Sequence, residues 1–401
     1  MMRYYISGKP VFHFRQIFGQ ECGEKSIFPL NQGKCFYYFS ARYALAGGLT
    51  ALELKSGDAV LLPSYNCGAE IDPILHSKIK PVFYKIGKNL LVDYDDLVKK
   101  VTEDVKAILV THFLGFPQPV DQIKRICTEK NLFLIEDCAH ALLSTYNGKP
   151  LGSYGDVSVF SLLKTLPIPN GGVLLINNRN ISHNHFPENP NPFATSFYAA
   201  ELLRYKTCGN KNLIKENGLN LLYGGVYFSL SSVRLLLAGF RKYVNPKGLY
   251  LVKPDSNLFV ENLCSWGISG LSKRIIDRTN FEEIKNVRRR NFEYLLNYFH
   301  KNERGILPFN ELPPGVCPLF FPIILESAEK RETLYTMLKN KGVVTHPWWD
   351  RFHPAVQWDE FPDVVYLKTR FFGIPIHQDL TLNHIDLMIG EFEKAYKSLE
   401  K

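Results

Sequence analysis

The feature that most constrains this chain is a rhythm between residues 36 and 177, where short apolar, β-branched runs alternate with segments of helical period. Ala41, Ala44, Leu45, Gly48, Leu49 and Leu52 recur at helical spacing. Gly57-Asp58 then turns the chain into the run Ala59-Val60-Leu61-Leu62, which Pro63 closes. The same pattern predicts helices over 68–77, 94–101 and 120–129, and strands over 81–86, 106–111, 132–135, 157–161 and 173–176. Strands joined through helices of this length are parallel neighbours, so the expected fold class is α/β, a mostly parallel sheet covered on both faces. In such sheets ligands gather at the carboxyl ends of the strands. His112, Asp137 and His140, and the Ser161–Lys164 pair, all follow strands directly.

The rhythm breaks over 183–260, an apolar insertion. Within it Leu219–Phe240 carries Arg234 as its only charge and is long enough to span a membrane. Gly224-Gly225, Asn220, Ser229, Ser231 and Ser232 interrupt any continuous lipid-facing stripe. The expectation is therefore a helix buried in the core or at a subunit contact. Contact with a membrane surface is the less favoured alternative, kept open by Lys206, Lys211, Lys215, Arg241 and Lys242 on its flanks. A second unit follows. Helices are expected at 280–300, 330–341 and 382–399, with a strand at 319–325 and the cluster Arg288-Arg289-Arg290 on or near an exposed helix face. The expected division is a large domain over 1–261 and a smaller C-terminal α+β domain over 262–401.

Composition narrows the function classes. Hydrophobic residues make up 45% of the 401 and charged residues 22%, so the chain can bury a large core. The net charge of +9 is spread without a Lys/Arg run, which argues against nucleic-acid binding. Eight cysteines include no CxxC pair, so zinc-ribbon and thioredoxin chemistry fail on spacing. The N-terminal stretch has no continuous apolar segment of the secretory kind, and reduced thiols in the cytoplasm are expected. The His346-Pro347-Trp348-Trp349 cluster with His353 matches no metal-ligand spacing; packed or substrate-lining aromatics are expected there, and no metal.

Three elements carry chemistry. In Ser161-Leu162-Leu163-Lys164, followed by Gly171-Gly172, a partly desolvated lysine amine sits just past a buried strand, suited to forming a Schiff base with an aldehyde such as pyridoxal phosphate (PLP). Asp137 ends a strand 27 residues earlier, where a carboxylate can hold a pyridine nitrogen protonated. Ser40-Ala41-Arg42-Tyr43-Ala44-Leu45 opens a helix whose free N–H groups can seat a phosphate. Singly, each has a plain structural reading: a surface lysine, a helix-capping aspartate, an N-cap serine. Phosphate seat, carboxylate and lysine in that order within one α/β region are far more specific.

With these residues in view, the chain resembles the DegT/DnrJ/EryC1/StrS family of PLP-dependent sugar aminotransferases of fold type I. The stretches that carry the resemblance are SARYAL (40–45), KSGDAVLLPSYNCGAE (55–70), THFLG (111–115), IEDCAHA (135–141) and LGSYGDVSVFSLLKTLPIPNGG (151–172), with GVVTHPWW (342–349) and GIPIHQDLT (373–381) matching more loosely. The resemblance implies a fold-type-I large domain, PLP as cofactor and a homodimer. It further implies that Lys164 is the Schiff-base lysine and Asp137 the partner of the pyridine nitrogen, that His140 stands beside the ring where the family usually has Gln, and that Ser161 and the backbone at Ala41 and Arg42 contact the phosphate. Cys67 occupies the position of an aromatic that often stacks on the ring; a thiol offers no such flat surface, and Tyr65 is the nearby candidate to compensate. His112 falls in an "H..G" position, either site-lining or a buried structural histidine. The spacing from Ser161 to Lys164 is two residues shorter than in most family members.

The activity so implied is transfer of an amino group from an amino acid, glutamate being the expected donor, to a nucleotide-linked keto-sugar. Two rival readings remain: a PLP-dependent dehydratase or lyase, and a non-catalytic binding protein on an aminotransferase scaffold. Sugar dehydratases of the family typically lack the lysine, which Lys164 argues against.

Overall fold

A computed structural model describes residues 5–13, 15–19, 27–190 and 259–400, together with 195, 199 and 202. The apolar segment Leu219–Phe240 and its basic flanks lie outside the described residues. No helix among the described residues is long and apolar enough to cross a membrane.

The centre is a seven-stranded sheet built from β1 (Cys35–Tyr38), β2 (Ala59–Pro63), β3 (Lys80–Tyr84), β4 (Val105–Thr111), β5 (Phe133–Asp137), β8 (Val157–Ser161) and β9 (Gly172–Ile176). A small ribbon, β6 (Thr145–Tyr146) and β7 (Lys149–Pro150), stands apart. The order across the sheet is β1-β9-β8-β5-β4-β2-β3. Pairs from β3 through β8 are parallel, whereas β9 is antiparallel to both β8 and β1. β1 therefore runs with the parallel set, and the carboxyl ends of β1, β2, β4, β5 and β8 share one rim. β2, β8 and β9 are buried along their whole length. At about 1.5–3 kcal/mol for each fully buried Val, Leu or Ile, such runs supply much of the folding free energy. They read as unbroken apolar stretches because both faces of the sheet are covered.

Four helices connect these strands or precede them: α2 (Ala41–Ala51), α3 (Ile71–His76), α4 (Tyr94–Lys99) and α5 (Val120–Glu129); a short α1 (Arg15–Phe18) packs on α6 (Gly270–Ile276). α2 buries Tyr43, Ala44, Leu45, Gly48, Leu49 and Ala51 over β8 and β9. A Cβ at Gly48 would stand 3.2 Å from Leu174, so the small residues of α2 bring its axis close to the sheet. The expected helix over 68–77 is shorter than its apolar pattern suggests. Gly68 takes φ +87°, a left-handed turn that helical backbone does not continue through.

Beyond residue 259, α7 (Phe281–Asn302) is the longest described helix, with Asn280 accepting the Glu283 N–H as its N-cap. Its buried stripe, Phe281, Ile284, Arg288, Asn291, Phe292, Leu295 and Phe299, keeps the helical period. α8 (Ala328–Asn340), α9 (Pro362–Arg370) and α10 (Leu382–Leu399) accompany a two-stranded antiparallel sheet of β10 (Phe320–Ile324) and β11 (Phe371–Pro375). Phe292, Leu295 and Phe321 belong to the same continuous apolar cluster as Leu61, Ile108 and Leu134 of the large sheet. One expectation is corrected here. Arg288 is 2% exposed and turned inward, its guanidinium donating to Gln378 Oε1 and to the carbonyls of Pro318 and Leu319. Arg289 likewise donates to the carbonyls of Pro313 and Val316. Arg290 alone of the three is exposed, so the expectation holds for it and fails for Arg288.

Candidate functional site

At the shared rim lies a cavity of about 240 Å³. Ser40, Ala41 and Arg42 at the start of α2, Cys67 and Glu70 before α3, Asp137 at the end of β5, Ser161 at the end of β8 with Lys164 just beyond it, and Trp349 from the C-terminal half all line it. Five chain segments thus converge on one space.

The wall at α2 depends on Gly172. A Cβ there would fall 2.1 Å from the carbonyl carbon of Ser40 and 2.3 Å from Ala41 N, so only glycine lets β9 begin against the helix start. Ser40 is extended (φ −152°, ψ 169°), and its side chain makes no capping bond. The helix N-terminus therefore meets the cavity with its backbone dipoles rather than with a capped end.

Successive residues of β5 point to opposite faces, and Glu136 and Asp137 have opposite fates. Glu136 is fully buried and accepts hydrogen bonds from the N–H groups of Gly152, Tyr154 and Gly155 and from His112 Nε2 at 3.0 Å. His112 Nδ1 accepts from Gln118 N–H, so both ring nitrogens are used inside the protein. His112 is a buried structural histidine and does not line the cavity. Asp137 faces the cavity, with Oδ1 accepting from Ala139 N–H at 2.9 Å. Burial pushes its carboxyl up to about 6, the neighbouring Glu70 adds to the rise, and Lys164 partly opposes it.

Lys164 closes a single 3₁₀ turn, Leu162–Lys164, that leaves β8 at Ser161. Its Nζ lies 2.7 Å from His140 Nε2, and 5.6 and 5.8 Å from the ring centres of Trp348 and Trp349. His140 is buried against both indoles, at 5.2 and 5.1 Å between ring centres, and its Nδ1 accepts from Leu114 N–H. Burial, then the nearby Lys164, holds the imidazole well below the usual histidine range.

Cys67 is tied to Glu70 through its backbone N–H and its Sγ, and burial pushes the thiol up to about 12. Tyr65 does not reach the cavity. It is buried beneath it, donating its hydroxyl to Trp348 O and packing on the Trp349 indole at 5.2 Å. The aromatic surface opposite the strand ends comes instead from Trp349, about 280 residues further along the chain. That loop is held by Lys368, fully buried, whose ammonium donates to the carbonyls of Asn66, Trp349 and Arg351. His346 and His353 are spent on packing bonds, to Gly8 O and Asp72 Oδ1.

The structure thus brings together Ala41, Arg42, Cys67, Asp137, Ser161 and Lys164 around the cavity, with His140 behind the lysine. Sequence reasoning missed Glu70, Asn170 and Lys368, whereas Trp349 fulfils the expectation of a packed or substrate-lining aromatic. Glu70 had a signal in its place three residues after Cys67. Asn170 lines the cavity while its amide binds Gly267 O, Ser269 N–H and Ser272 Oγ, a network that no local pattern announces.

Residues 30–186 match the model of the DegT/DnrJ/EryC1/StrS aminotransferase family. A GDP-perosamine synthase of Vibrio cholerae is 35% identical over 137 residues, covering 33% of this chain and 37% of that protein. A dTDP-4-dehydro-2,3,6-trideoxy-D-glucose 4-aminotransferase of Saccharopolyspora spinosa is 34% identical over 36% of this chain and 38% of its own length. The aligned part thus spans well under half of these relatives. Among solved structures, the Helicobacter pylori aminotransferase PseC superposes with a TM-score of 0.66 over 99% of this chain and 100% of its own, at 15% identity. The PLP form of the Streptococcus pneumoniae protein Spr1654, described as a putative sugar aminotransferase, gives 0.62 over 91% and 88%, at 18% identity. The fold is that of the fold-type-I aminotransferases.

Proposed function

We propose that the chain, whose residues 30–186 match the DegT/DnrJ/EryC1/StrS aminotransferase family model, is a PLP-dependent aminotransferase, moving an amino group from glutamate to a nucleotide-linked keto-sugar in polysaccharide biosynthesis. The observation that carries the proposal is the pairing, in one cavity, of the Lys164 amine with a deep carboxylate, Asp137, pushed up to about 6 by burial. Such a carboxylate fits a protonated heterocyclic nitrogen, which would repay its lost hydration with an ion pair. The α2 start, bared by Gly172 and flanked by Ser161, fits a phosphate dianion. Bound PLP would supply an aldehyde for an amine to attack and an electron-withdrawing ring.

In this reading Lys164 would be the amine that holds the aldehyde and the base that moves the proton at the donor Cα. Asp137 would pair with the ring nitrogen. Ala41, Arg42 and Ser161 would hold the phosphate by their N–H and hydroxyl groups, and Cys67 and His140 would be further cofactor contacts. The proposal includes the large part over 1–261 and the smaller over 262–401, a homodimer, and a cytoplasmic location. The relatives' names favour sugar substrates: two of them transform GDP- or dTDP-linked sugars by name.

The test is spectroscopic. The purified protein with PLP should show a visible band that borohydride removes, and Lys164→Ala should lose both that band and turnover while keeping its fold. Glutamate should then convert the bound cofactor to its amine form. A borohydride-trapped adduct at normal stoichiometry in Lys164→Ala would place the anchoring amine elsewhere.

A further inference from the structure

We propose that His140 is a positioning residue that presents Lys164 as a free amine, donating its Nε2 hydrogen to Nζ, and that the Leu114 N–H dictates which ring nitrogen carries that hydrogen. Leu114 N–H points at His140 Nδ1 across 3.2 Å, so Nδ1 offers its lone pair. A neutral imidazole has one hydrogen, which must then sit on Nε2. Nε2 lies 2.7 Å from Lys164 Nζ. An ammonium at that distance would oppose one N–H to another, whereas a free amine accepts the hydrogen.

The imidazole cannot easily reverse its tautomer, because the turn that supplies the Leu114 N–H is fixed. Leu114 adopts φ +56°, its carbonyl accepts from Leu319 N–H at 2.9 Å, and a Cβ at Gly115 would lie 2.3 Å from Cys317 O. His140 itself is clamped between this turn and the indoles of Trp348 and Trp349. Other groups around the amine act in both directions. Asp137 at the end of β5, Glu70 before α3 and the two indole faces favour a cation, while Arg42 of α2 opposes one; Cys67 shares the same wall. The Nε2 hydrogen is the group in direct contact. The THFLG turn, the EDCAH strand end and the SLLK turn thereby form one relay, from backbone N–H through imidazole to amine.

The inference deepens the proposed function, in which Lys164 is the nucleophile, yet its test needs no cofactor, so the two can fail separately. The full-length, cofactor-free protein is reductively methylated with formaldehyde and cyanoborohydride between pH 6 and 10, and the Lys164 peptide is quantified by mass spectrometry. His140→Gln keeps an acceptor for Leu114 and a donor for Lys164; His140→Met has nearly the same volume and neither. Expected is Lys164 methylation at pH 7 at least tenfold slower in His140→Met than in wild type or His140→Gln, with the gap closing by pH 10 and the other lysines unchanged. Equal rates at pH 7, or His140→Gln behaving like His140→Met, would overturn the proposal. Nitrogen-15 NMR of the wild-type imidazole gives an independent reading: a hydrogen on Nε2 and a lone pair on Nδ1 are expected, and the reverse tautomer would overturn the relay even if a variant fails to fold.

Discussion

Asp137 illustrates how a single residue can be poorly placed for stability and well placed for chemistry. Its carboxyl is raised from 3.8 to about 6 in the folded chain, chiefly by burial. The folded state therefore holds its proton more tightly than the unfolded state, and the charge costs stability increasingly as pH rises through that window. Above about pH 6 the cost is fully present, about 3 kcal/mol at 1.36 kcal/mol per unit. Below about pH 4 it vanishes, because both states are protonated. Asp137→Asn should accordingly raise the stability of the cofactor-free protein at pH 7 by about 2–3 kcal/mol in urea titration, an advantage that disappears near pH 4. The same variant should lower turnover on the order of 10²-fold, since an amide forms no ion pair with the ring nitrogen. Near-normal turnover would place the nitrogen's partner elsewhere. A variant no more stable at pH 7 than at pH 4, relative to wild type, would deny the burial cost.

Among the elements, α2 and β9 meet at one point that tolerates no side chain. Gly172→Ala would drive its Cβ against the Ser40 and Ala41 backbone, which no rotamer change relieves. The helix start must move or the strand must open, a cost of roughly 1–3 kcal/mol as for other overpacked sites. Affinity for PLP should fall at least tenfold in fluorescence titration; an unchanged affinity would show that the helix start does not seat the phosphate. The alternation of strand and helix was legible because buried parallel strands leave unbroken apolar runs, as in Ala59–Pro63 and Val157–Ser161. β1 was not, because four residues at the edge of an antiparallel corner carry no period of their own. Arg288 was misread from its charge, although 281, 284, 288, 291 and 295 form a single helical stripe that the period alone could have revealed. Lys164 and Asp137 were legible as strand-end residues in a specific order. Trp349 was legible only as a packed or substrate-lining aromatic and Lys368 not at all, because their places depend on where the C-terminal half docks.

Across the whole molecule, that docking rests on a buried cation. Lys368 gives its hydrogens to carbonyls of Asn66 in the β2 rim loop and of Trp349 and Arg351 in the opposing loop, and burial lowers its ammonium to about 8. Lys368→Met would leave three inward carbonyls without their donor. We expect a loss of roughly 3 kcal/mol or more by urea titration, and a loss below about 1 kcal/mol would mean that the loops hold each other without it. The arrangement also bears on the order of events during folding. Residues 41–164 can pair their strands early, but the wall formed by Trp349 requires closing a loop of some 280 residues across the sheet rim, a slow step for any chain. The amine and the carboxylate would thus be in place before their enclosure, and a half-made chain would offer an open, wet groove. Completion of the last wall is then a checkpoint: a bound ligand would certify that both ends of the polypeptide have found each other.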